Sequence, residues 1–239
     1  MLIAFVSMKV ICFDLDDTLY KEIDYLTSAY REIARYAAAH CPVDMDSQRR
    51  LSEEGYLQMM TAYQQGENAF AALNSRLGLH ISVSDYLTLY RNHVPEIVLS
   101  DDVKQLLEVL HQEGVILGLI TDGRSVQQRN KLKALGLDSY LENENIVISE
   151  EFGSEKPALA NYTYFMKRYP ECRDFTYVGD NLKKDFLTPN RLGWQTVCLR
   201  DDGRNIHKQD GEGVTEEMHA NVWIDRLSEL AKLSFPRKR

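Results

Sequence analysis

Short apolar runs alternate with longer amphipathic segments along most of the chain. The apolar runs are rich in β-branched and aromatic residues and read KVICF, GVILGLIT, NIVIS, FTYVGD, QTVCL and NVWI. Two intervening segments have helical character: DDVKQLLEVLHQEG, which ends at Gly114, and SVQQRNKLKALG, with Ser125 as N-cap and Gly136 at its end. The alternation predicts an α/β protein with a doubly wound, Rossmann-like parallel sheet, because each crossover between strands carries a helix.

Residues 21–95 follow a different pattern, in which four helical segments succeed one another. Pro42, Gly66 and Gly78 separate these segments. The chain has 239 residues, more than the roughly 100–200 residues of a usual domain. We therefore predict two domains: an α/β core formed by residues 1–20 and 96–239, and a small helical bundle formed by residues 21–95.

Composition and charge narrow the classes of function. The chain is 44% hydrophobic and 27% charged, which is typical of a globular protein. Its formal charge of −8 argues against nucleic acid and anionic membranes as partners, and the PRKR tail is too short to reverse that. The four cysteines are scattered, with no CxxC pair, and are expected to be reduced core residues.

The beginning of the chain bears on its location. The apolar opening has no preceding cationic segment and no small-residue cleavage site, so it does not match a signal peptide. No apolar run approaches the roughly 20 residues of a membrane-spanning helix. We expect a cytoplasmic protein, with either Met1 or Met8 as the natural start, because the first strand pattern begins after Met8.

Residues with polar side chains follow several predicted strands. In α/β sheets the carboxyl ends of the strands form the ligand-binding edge, so these residues are expected to converge there. Clustered carboxylates repel one another by about 4 kcal/mol per pair at ~4 Å near a protein surface, and therefore demand a cation. An all-oxygen ligand set favours Mg²⁺. The residues that follow strands are Asp14, Asp16, Asp17, Thr18, Thr121, Asp122, Gly123, Asp180 and Asp185, and Lys156 lies before the strand FTYVGD.

Four of these segments together resemble a known family. DLDDTLY, TDGRS, EKP and GDNLKKD have the order and approximate spacing of the four motifs of the haloacid dehalogenase-like hydrolase superfamily. The resemblance extends over nearly the whole chain from Lys9. It implies the phosphatase branch, with residues 21–95 as a helical cap over the active site, between the first and second motifs. Such a cap would exclude water and select the substrate.

The resemblance also implies roles for the acidic residues. Asp14 would be the nucleophile that forms an aspartyl-phosphate. Asp16 would be the general acid and base, with a pKa raised by its crowded surroundings. Mg²⁺ would be held by the carboxylates of Asp14 and Asp180 and by the backbone carbonyl of Asp16, with Asp185 in support.

The remaining motif residues would bind the phosphoryl group. Thr121 and the backbone amides of Asp122 and Gly123 would contact its oxygens, and Lys156 would offset charge on the nucleophile and the phosphate. Asparagine is common in the family where Asp122 stands, so the Asp122 side chain is expected to turn away from the ligand. Leu159 replaces a proline of the pattern, whereas Pro157 is expected to open a helix. Asp17 is interpreted as a supporting or capping residue.

The predicted activity is Mg²⁺-dependent hydrolysis of a small phosphomonoester, such as a sugar phosphate, phosphoglycolate or a nucleoside monophosphate. A dehalogenase resembles this motif set without Asp16, so Asp16 favours phosphoryl transfer. Two alternatives stay open: a phosphomutase of the β-phosphoglucomutase type, and a regulatory protein that only binds a phosphorylated metabolite. The sequence predicts neither the physiological substrate nor the oligomeric state.

Overall fold

A six-stranded parallel sheet forms the centre of the computed structural model, which describes residues 8–233. Its strand order is β3-β2-β1-β4-β5-β6, and every neighbouring pair is parallel. All six sequence-predicted strands are confirmed, as is the doubly wound topology. The strands are β1 Lys9–Phe13, β2 Ile116–Thr121, β3 Ile146–Ile148, β4 Asp174–Gly179, β5 Gln195–Leu199 and β6 Val222–Ile224.

Helices lie between successive strands of the sheet. Five of them, α1–α5, lie between the first and second strands. Of the crossover helices, α5 carries the predicted apolar face of Val103, Leu106, Leu107 and Leu110, all buried. Short 3₁₀ turns complete the connections at Leu137–Ser139, Asn143–Asn145, Glu216–Met218 and Leu227–Lys232. The α-helices are α1 Glu22–Ala39, α2 Met45–Gln64, α3 Ala69–Leu77, α4 Val83–Asn92, α5 Asp101–Gln112, α6 Ser125–Ala134, α7 Ser149–Phe152, α8 Leu159–Arg168 and α9 Leu187–Arg191.

Two predicted helix starts are wrong by one or two residues. Arg124 occupies the N-cap of α6, and the Ser125 hydroxyl donates to the Glu151 carboxylate instead of capping the helix. Helix α8 begins at Leu159, with Ala158 as its N-cap, so Pro157 lies before the helix. The Pro157 carbonyl accepts a hydrogen bond from the Thr188 hydroxyl.

Both faces of the sheet are covered, which explains the continuous apolar character of the strands. Along β1, Ile11 and Phe13 join one core cluster, which includes residues of α5 and α6. Val10 and Cys12 point to the opposite face and join a second cluster, which includes residues of α8. All four cysteines are buried and unpaired, as the sequence predicted.

Helices α1–α4 pack mainly around a third apolar cluster of their own, which includes Ile33, Met59, Leu73 and Tyr86. Gly55 permits close helix packing in this bundle, since a Cβ there would lie 2.7 Å from a methyl group of Leu73. The bundle also meets the core, because Tyr25 and Ala29 of α1 belong to the cluster beneath the sheet. The exact domain boundaries stay a prediction.

Within residues 8–233, no helix is both long and apolar enough to cross a membrane. The predictions about residues 1–7 and the PRKR tail concern positions outside the described residues.

Gly118 gives the first testable prediction. A Cβ at this position in β2 would lie 2.5 Å from the Phe165 ring and 2.8 Å from Cys12 Sγ, both fully buried. Gly118→Ala is therefore expected to lower the free energy of unfolding by about 1–3 kcal/mol through overpacking. Urea denaturation measures this change. Gly118→Ala should cost less in a Phe165→Leu background than in wild type, and full additivity of the two substitutions would contradict the assigned contact.

Candidate active site

Three neighbouring strands bring the predicted motifs together. Because β1 lies between β2 and β4, the residues at their carboxyl ends share one edge of the sheet. The backbone amide of Asp14 donates to the carbonyl of Val178 in β4 at 2.8 Å, which fixes Asp14 beside Asp180. A cavity of about 130 Å³ opens here, lined by Asp14, Asp16, Asp17, Glu22, Thr121, Asp122, Lys156, Asp180, Asn181, Lys184 and His207.

Lys156 links two of the carboxylates at the base of this cavity. Its Nζ lies 2.8 Å from Asp14 Oδ1 and 2.8 Å from Asp185 Oδ1, and its side chain is buried. The other oxygen of Asp185 accepts the backbone amides of Asp180 and Asn181, at 3.1 and 2.8 Å. Asp185 therefore orients both Lys156 and the loop that carries Asp180. A Cβ at Gly179 would lie 2.4 Å from Asp185 Oδ2, so glycine is needed for this approach.

Asp14, Asp180 and Asp185 form a buried group whose oxygen atoms lie within 4.8 Å of one another. Burial raises the pKa of Asp14 to about 7, with Lys156 opposing and Asp185 adding to the shift. Burial, followed by repulsion from Asp185 and Asp14, raises the pKa of Asp180 to about 9. These shifts mean that the carboxylate forms are destabilised here, and a bound divalent cation would reverse that. An all-oxygen set of this kind fits Mg²⁺.

Asp180 is further oriented by a loop after β5. Asn205 Nδ2 donates to Asp180 Oδ2 at 2.9 Å, and Thr18 Oγ1 donates to Oδ1 at 3.4 Å. Gln209 Nε2 donates to the backbone carbonyl of Asp180 at 2.8 Å. Both carboxylate oxygens and the peptide of Asp180 are thus held in place.

Asp16 lies at the cavity wall and is surrounded by donors. Lys131 Nζ lies 2.7 Å and the Tyr20 hydroxyl 2.5 Å from its Oδ1, and Gln128 Nε2 lies 2.9 Å from its Oδ2. Burial would raise the pKa of Asp16, but Lys131 and the hydrogen bonds outweigh it and hold the pKa below its usual value. The predicted rise in the pKa of Asp16 is therefore wrong for this structure. The reason is a buried lysine that the sequence analysis did not consider.

Only some residues of the second motif, the segment TDGRS, line the cavity. Thr121 lines it, and Gln128 Nε2 donates to Thr121 Oγ1 at 2.7 Å, which leaves the hydroxyl hydrogen to point elsewhere. The Asp122 carboxylate accepts the backbone amide of Lys156 at 2.9 Å and the Lys184 ammonium at 3.0 Å. Its side chain is therefore engaged by protein donors.

Gly123 departs from the prediction. Its amide donates to Ser149 Oγ at 3.0 Å, and it lines a separate surface depression next to Arg124 and Glu150. The predicted contact of this amide with a phosphoryl oxygen therefore has no counterpart here, because the backbone at Gly123, with φ of 146°, directs the amide to Ser149.

Asp17 supports the local backbone, in line with the sequence interpretation. Its Oδ1 accepts the amide of Glu22, the first residue of α1, and its Oδ2 accepts the amide of Ile206, each at 2.9 Å. Its own φ is 56°, a conformation that aspartate tolerates better than most residues. Asp17 thereby joins the start of α1 to the loop that carries Asn205.

Sequence reasoning missed several residues of the site, among them Gln128, Lys131 and Asn205. Gln128 and Lys131 are three residues apart in the helix that follows Thr121, a spacing that puts them on one helix face. Polar residues on a buried face could have signalled their role. Asn205 lies in a loop rich in glycine and charged residues, and its sequence context carries no such signal.

A parallel sheet with a buried carboxylate cluster and a buried lysine at the carboxyl ends of its strands defines an α/β enzyme. The sequence profile of the haloacid dehalogenase-like hydrolases matches residues 11–199. The chain belongs to this family, and the family predicted from the four motifs is confirmed.

Three known proteins illustrate the similarity. The chain is 27% identical to a glyceraldehyde 3-phosphate phosphatase of Methanocaldococcus jannaschii, over 95% of this chain and 96% of that protein. It is 31% identical to a glyceraldehyde 3-phosphate phosphatase of Methanopyrus kandleri, over 93% and 95%. The magnesium-bound structure of the HAD-hydrolase YfnB from Bacillus subtilis has a TM-score of 0.65 at 21% identity, over 95% of this chain and 98% of that chain. This last comparison shows the shared fold.

Proposed function

We propose that the protein is a Mg²⁺-dependent phosphatase that hydrolyses a small phosphomonoester through an aspartyl-phosphate at Asp14. The observation that carries the proposal is the position of Asp14, which is buried beside Asp180 and in contact with Lys156, on a cavity that Thr121 also lines. Family membership and two relatives named as phosphatases support the same activity.

In the first step, a carboxylate oxygen of Asp14 attacks phosphorus and the bond from phosphorus to the leaving oxygen breaks. Asp16 gives a proton to that oxygen. The anionic phosphoryl group bound beside it would raise the pKa of Asp16 from the low value of the free site and so favour the protonated acid. In the second step, water attacks the phosphorus of the aspartyl-phosphate, Asp16 takes a proton from the water, and the bond to Asp14 breaks to release phosphate. Thr121 and the amide of Asp122 would hold phosphoryl oxygens, and Lys156 would stabilise their charge.

Mg²⁺ would be held by the carboxylates of Asp14 and Asp180 and the backbone carbonyl of Asp16, with Asp185 in a supporting position. When bound, the ion supplies positive charge that offsets the crowded carboxylates and the phosphoryl group. Lys156 and two backbone amides already bind the oxygens of Asp185. Asp185 would have to give up one of these contacts to bind the ion directly, which is why it is assigned a supporting position.

The substrate is proposed to be small. The cavity is lined mostly by charged and polar side chains, which suits a small phosphorylated metabolite better than a large apolar leaving group. Two relatives are named for glyceraldehyde 3-phosphate, which makes a triose phosphate the first candidate. Phosphoglycolate, other sugar phosphates and nucleoside monophosphates are the further candidates.

The test is phosphate release by the purified full-length protein from p-nitrophenyl phosphate and from each candidate metabolite, with Mg²⁺ and with EDTA. We expect release that depends on Mg²⁺ and that EDTA removes. Following sugar-phosphate isomers in the same incubations separates a phosphatase from a phosphomutase, which would interconvert isomers with little phosphate release. Full activity in EDTA, or binding without turnover across all substrates, would overturn the proposal.

Asn205 allows a prediction about metal binding. Asn205→Leu removes the donor to Asp180 Oδ2 while it keeps most of the side-chain volume. Loss of such a supporting contact is expected to weaken Mg²⁺ binding by about 10–100-fold. Isothermal calorimetry, or the Mg²⁺ concentration that gives half of the maximal rise in Tm, measures this change. Asn143→Leu, at an exposed position before β3 and away from the carboxyl ends of the strands, is the control. Equal Mg²⁺ affinity in the two variants would disprove the role of Asn205.

A further inference from the structure

Lys131 is a buried lysine that lies outside the four motif segments of the sequence. Its side chain is only 2% exposed. The ammonium lies 2.7 Å from Asp16 Oδ1, 3.9 Å from Glu22 Oε1 and 4.6 Å from the centre of the Tyr25 ring. Burying a lysine is unfavourable unless the charge is paired, so these neighbours explain how the cation is tolerated. Its shortest contact is with the proposed general acid.

Gln128 completes the arrangement one helical turn earlier in α6. Its Nε2 lies 2.9 Å from Asp16 Oδ2 and 2.7 Å from Thr121 Oγ1, and the residue is almost fully buried. Lys131 and Gln128 therefore bind different oxygens of the same carboxylate from one helix. An aspartate held at both oxygens by buried donors has a fixed side-chain orientation.

The simpler interpretation is that Lys131 has only a structural role, because its contact with Glu22 connects α6 to the start of α1. The distances instead favour a role that acts on Asp16. The contact to Glu22, at 3.9 Å, is much longer than the contact to Asp16. Asp16 also lines the cavity beside Asp14, where a proton donor must lie within hydrogen-bond reach of the leaving oxygen.

We propose that Lys131 is a positioning residue which, with Gln128, holds the Asp16 carboxyl group at the cavity wall in the orientation that serves the leaving-group oxygen. This inference rests on the proposed phosphatase function. Lys131 acts only through Asp16. Its contribution is therefore largest where the leaving group most needs a proton.

Substrates with different leaving groups separate this role from a structural one. p-Nitrophenolate is a stable anion and departs with little help from an acid, phenolate needs more help, and the alkoxide of a triose phosphate needs the most. The quantity to compare is kcat/KM, which reports the steps up to departure of the leaving group. General destabilisation of the fold would lower kcat/KM by the same factor for all three substrates.

The experiment compares Lys131→Met with wild type on p-nitrophenyl phosphate, phenyl phosphate and D-glyceraldehyde 3-phosphate. Methionine keeps the apolar stem beside Tyr25 and removes the ammonium. Misplacement of a general acid is expected to lower kcat/KM by about 100-fold for phenyl phosphate, more for the triose phosphate if wild type turns it over, and less than about threefold for p-nitrophenyl phosphate. Lys133→Met, at an exposed position in the same helix, should match wild type.

Circular dichroism and the Mg²⁺-induced rise in Tm establish that the variant folds and binds metal. Should Lys131→Met fail to fold, Lys131→Gln is measured in its place; its shorter, uncharged donor would hold Asp16 less firmly, so a smaller loss with the same order among the substrates is expected. Equal losses on the aryl phosphates, or no loss on either, would overturn the positioning role while the phosphatase function stands. Absence of wild-type activity on every phosphate would instead overturn the function itself.

Discussion

Asp14→Asn is expected to lower kcat for p-nitrophenyl phosphate by at least about 10⁴-fold, as is typical for loss of a covalent nucleophile. An amide has almost the same shape as a carboxylate but cannot attack phosphorus effectively. The fold should persist. Burial and neighbouring acids already raise the pKa of Asp14 to about 7, so a negative charge is unfavourable at this position and the neutral asparagine avoids it. Steady-state kinetics and the Tm in EDTA check the two parts of this prediction.

A trapping experiment tests the chemistry directly. Rapid acid quench of wild type with a ³²P-labelled substrate should leave label on the protein, and Asp14→Asn should leave none. Asp138→Asn, which alters an exposed carboxylate of the core, serves as the control and should keep wild-type turnover. A variant at Asp14 that retained most of its activity would exclude the covalent mechanism.

Lys156→Met has the second largest expected effect and acts on both stability and rate. The Lys156 ammonium lies between Asp14 and Asp185, and these carboxylates hold the pKa of Lys156 well above its usual value despite the opposing effect of burial. Removing one partner of a buried ion pair costs about 3–5 kcal/mol. Loss of charge stabilisation at the phosphoryl group should lower kcat by about 10²–10³-fold. Urea denaturation and kinetics at low temperature measure the two effects.

The stability loss in Lys156→Met should depend on pH in a definite direction. Without the lysine, the pKa of Asp14 lies further above its unfolded value, since burial already raises it to about 7 with Lys156 present. A carboxyl group with a raised pKa contributes its full stability at low pH and loses it as pH rises through the folded-state pKa. In metal-free buffer, the gap to wild type should therefore stay nearly constant up to about pH 7, where Asp14 ionises in wild type, and widen between pH 7 and pH 8. Lys183→Met, at an exposed lysine, should show no such trend.

The sequence correctly predicted which residues meet at the carboxyl edge of the sheet, because this prediction needs only the local pattern of the chain. Asp14, Thr121 and Asp180 each follow an apolar run directly, and parallel strands place such residues on the same edge of a sheet. Lys156 came from motif resemblance, and its position beside Asp14 agrees with the predicted pairing. The predicted helix starts at Ser125 and Pro157 differ from the observed ones by one or two residues. Where a helix begins depends on the hydrogen-bond partners that its first side chains find, and the sequence does not show these.

The environment of Asp16 shows where sequence reasoning reached its limit. Crowded acids near Asp16 suggested a raised pKa, whereas the actual shift is downward because Lys131 is buried against it. Lys131 is 115 positions away in the sequence. Its spacing from Gln128 puts both residues on one face of α6, but only the tertiary structure shows that this face packs against Asp16. The Gly123 amide was similarly misassigned, because Ser149, from another strand connection, accepts its hydrogen.

By itself, the sequence determined the α/β class, the strands, the helical insertion and the acidic residues at the strand ends, because periodicity and residue type along the chain encode these features. Only the tertiary structure decided which of those residues touch and which partners tune them. Lys131, Gln128 and Asn205 reach the site through the packing of α6 against the bundle and the course of the loop after β5. Such contacts join residues far apart in the chain, and their electrostatic effects exist only once burial removes the screening of water.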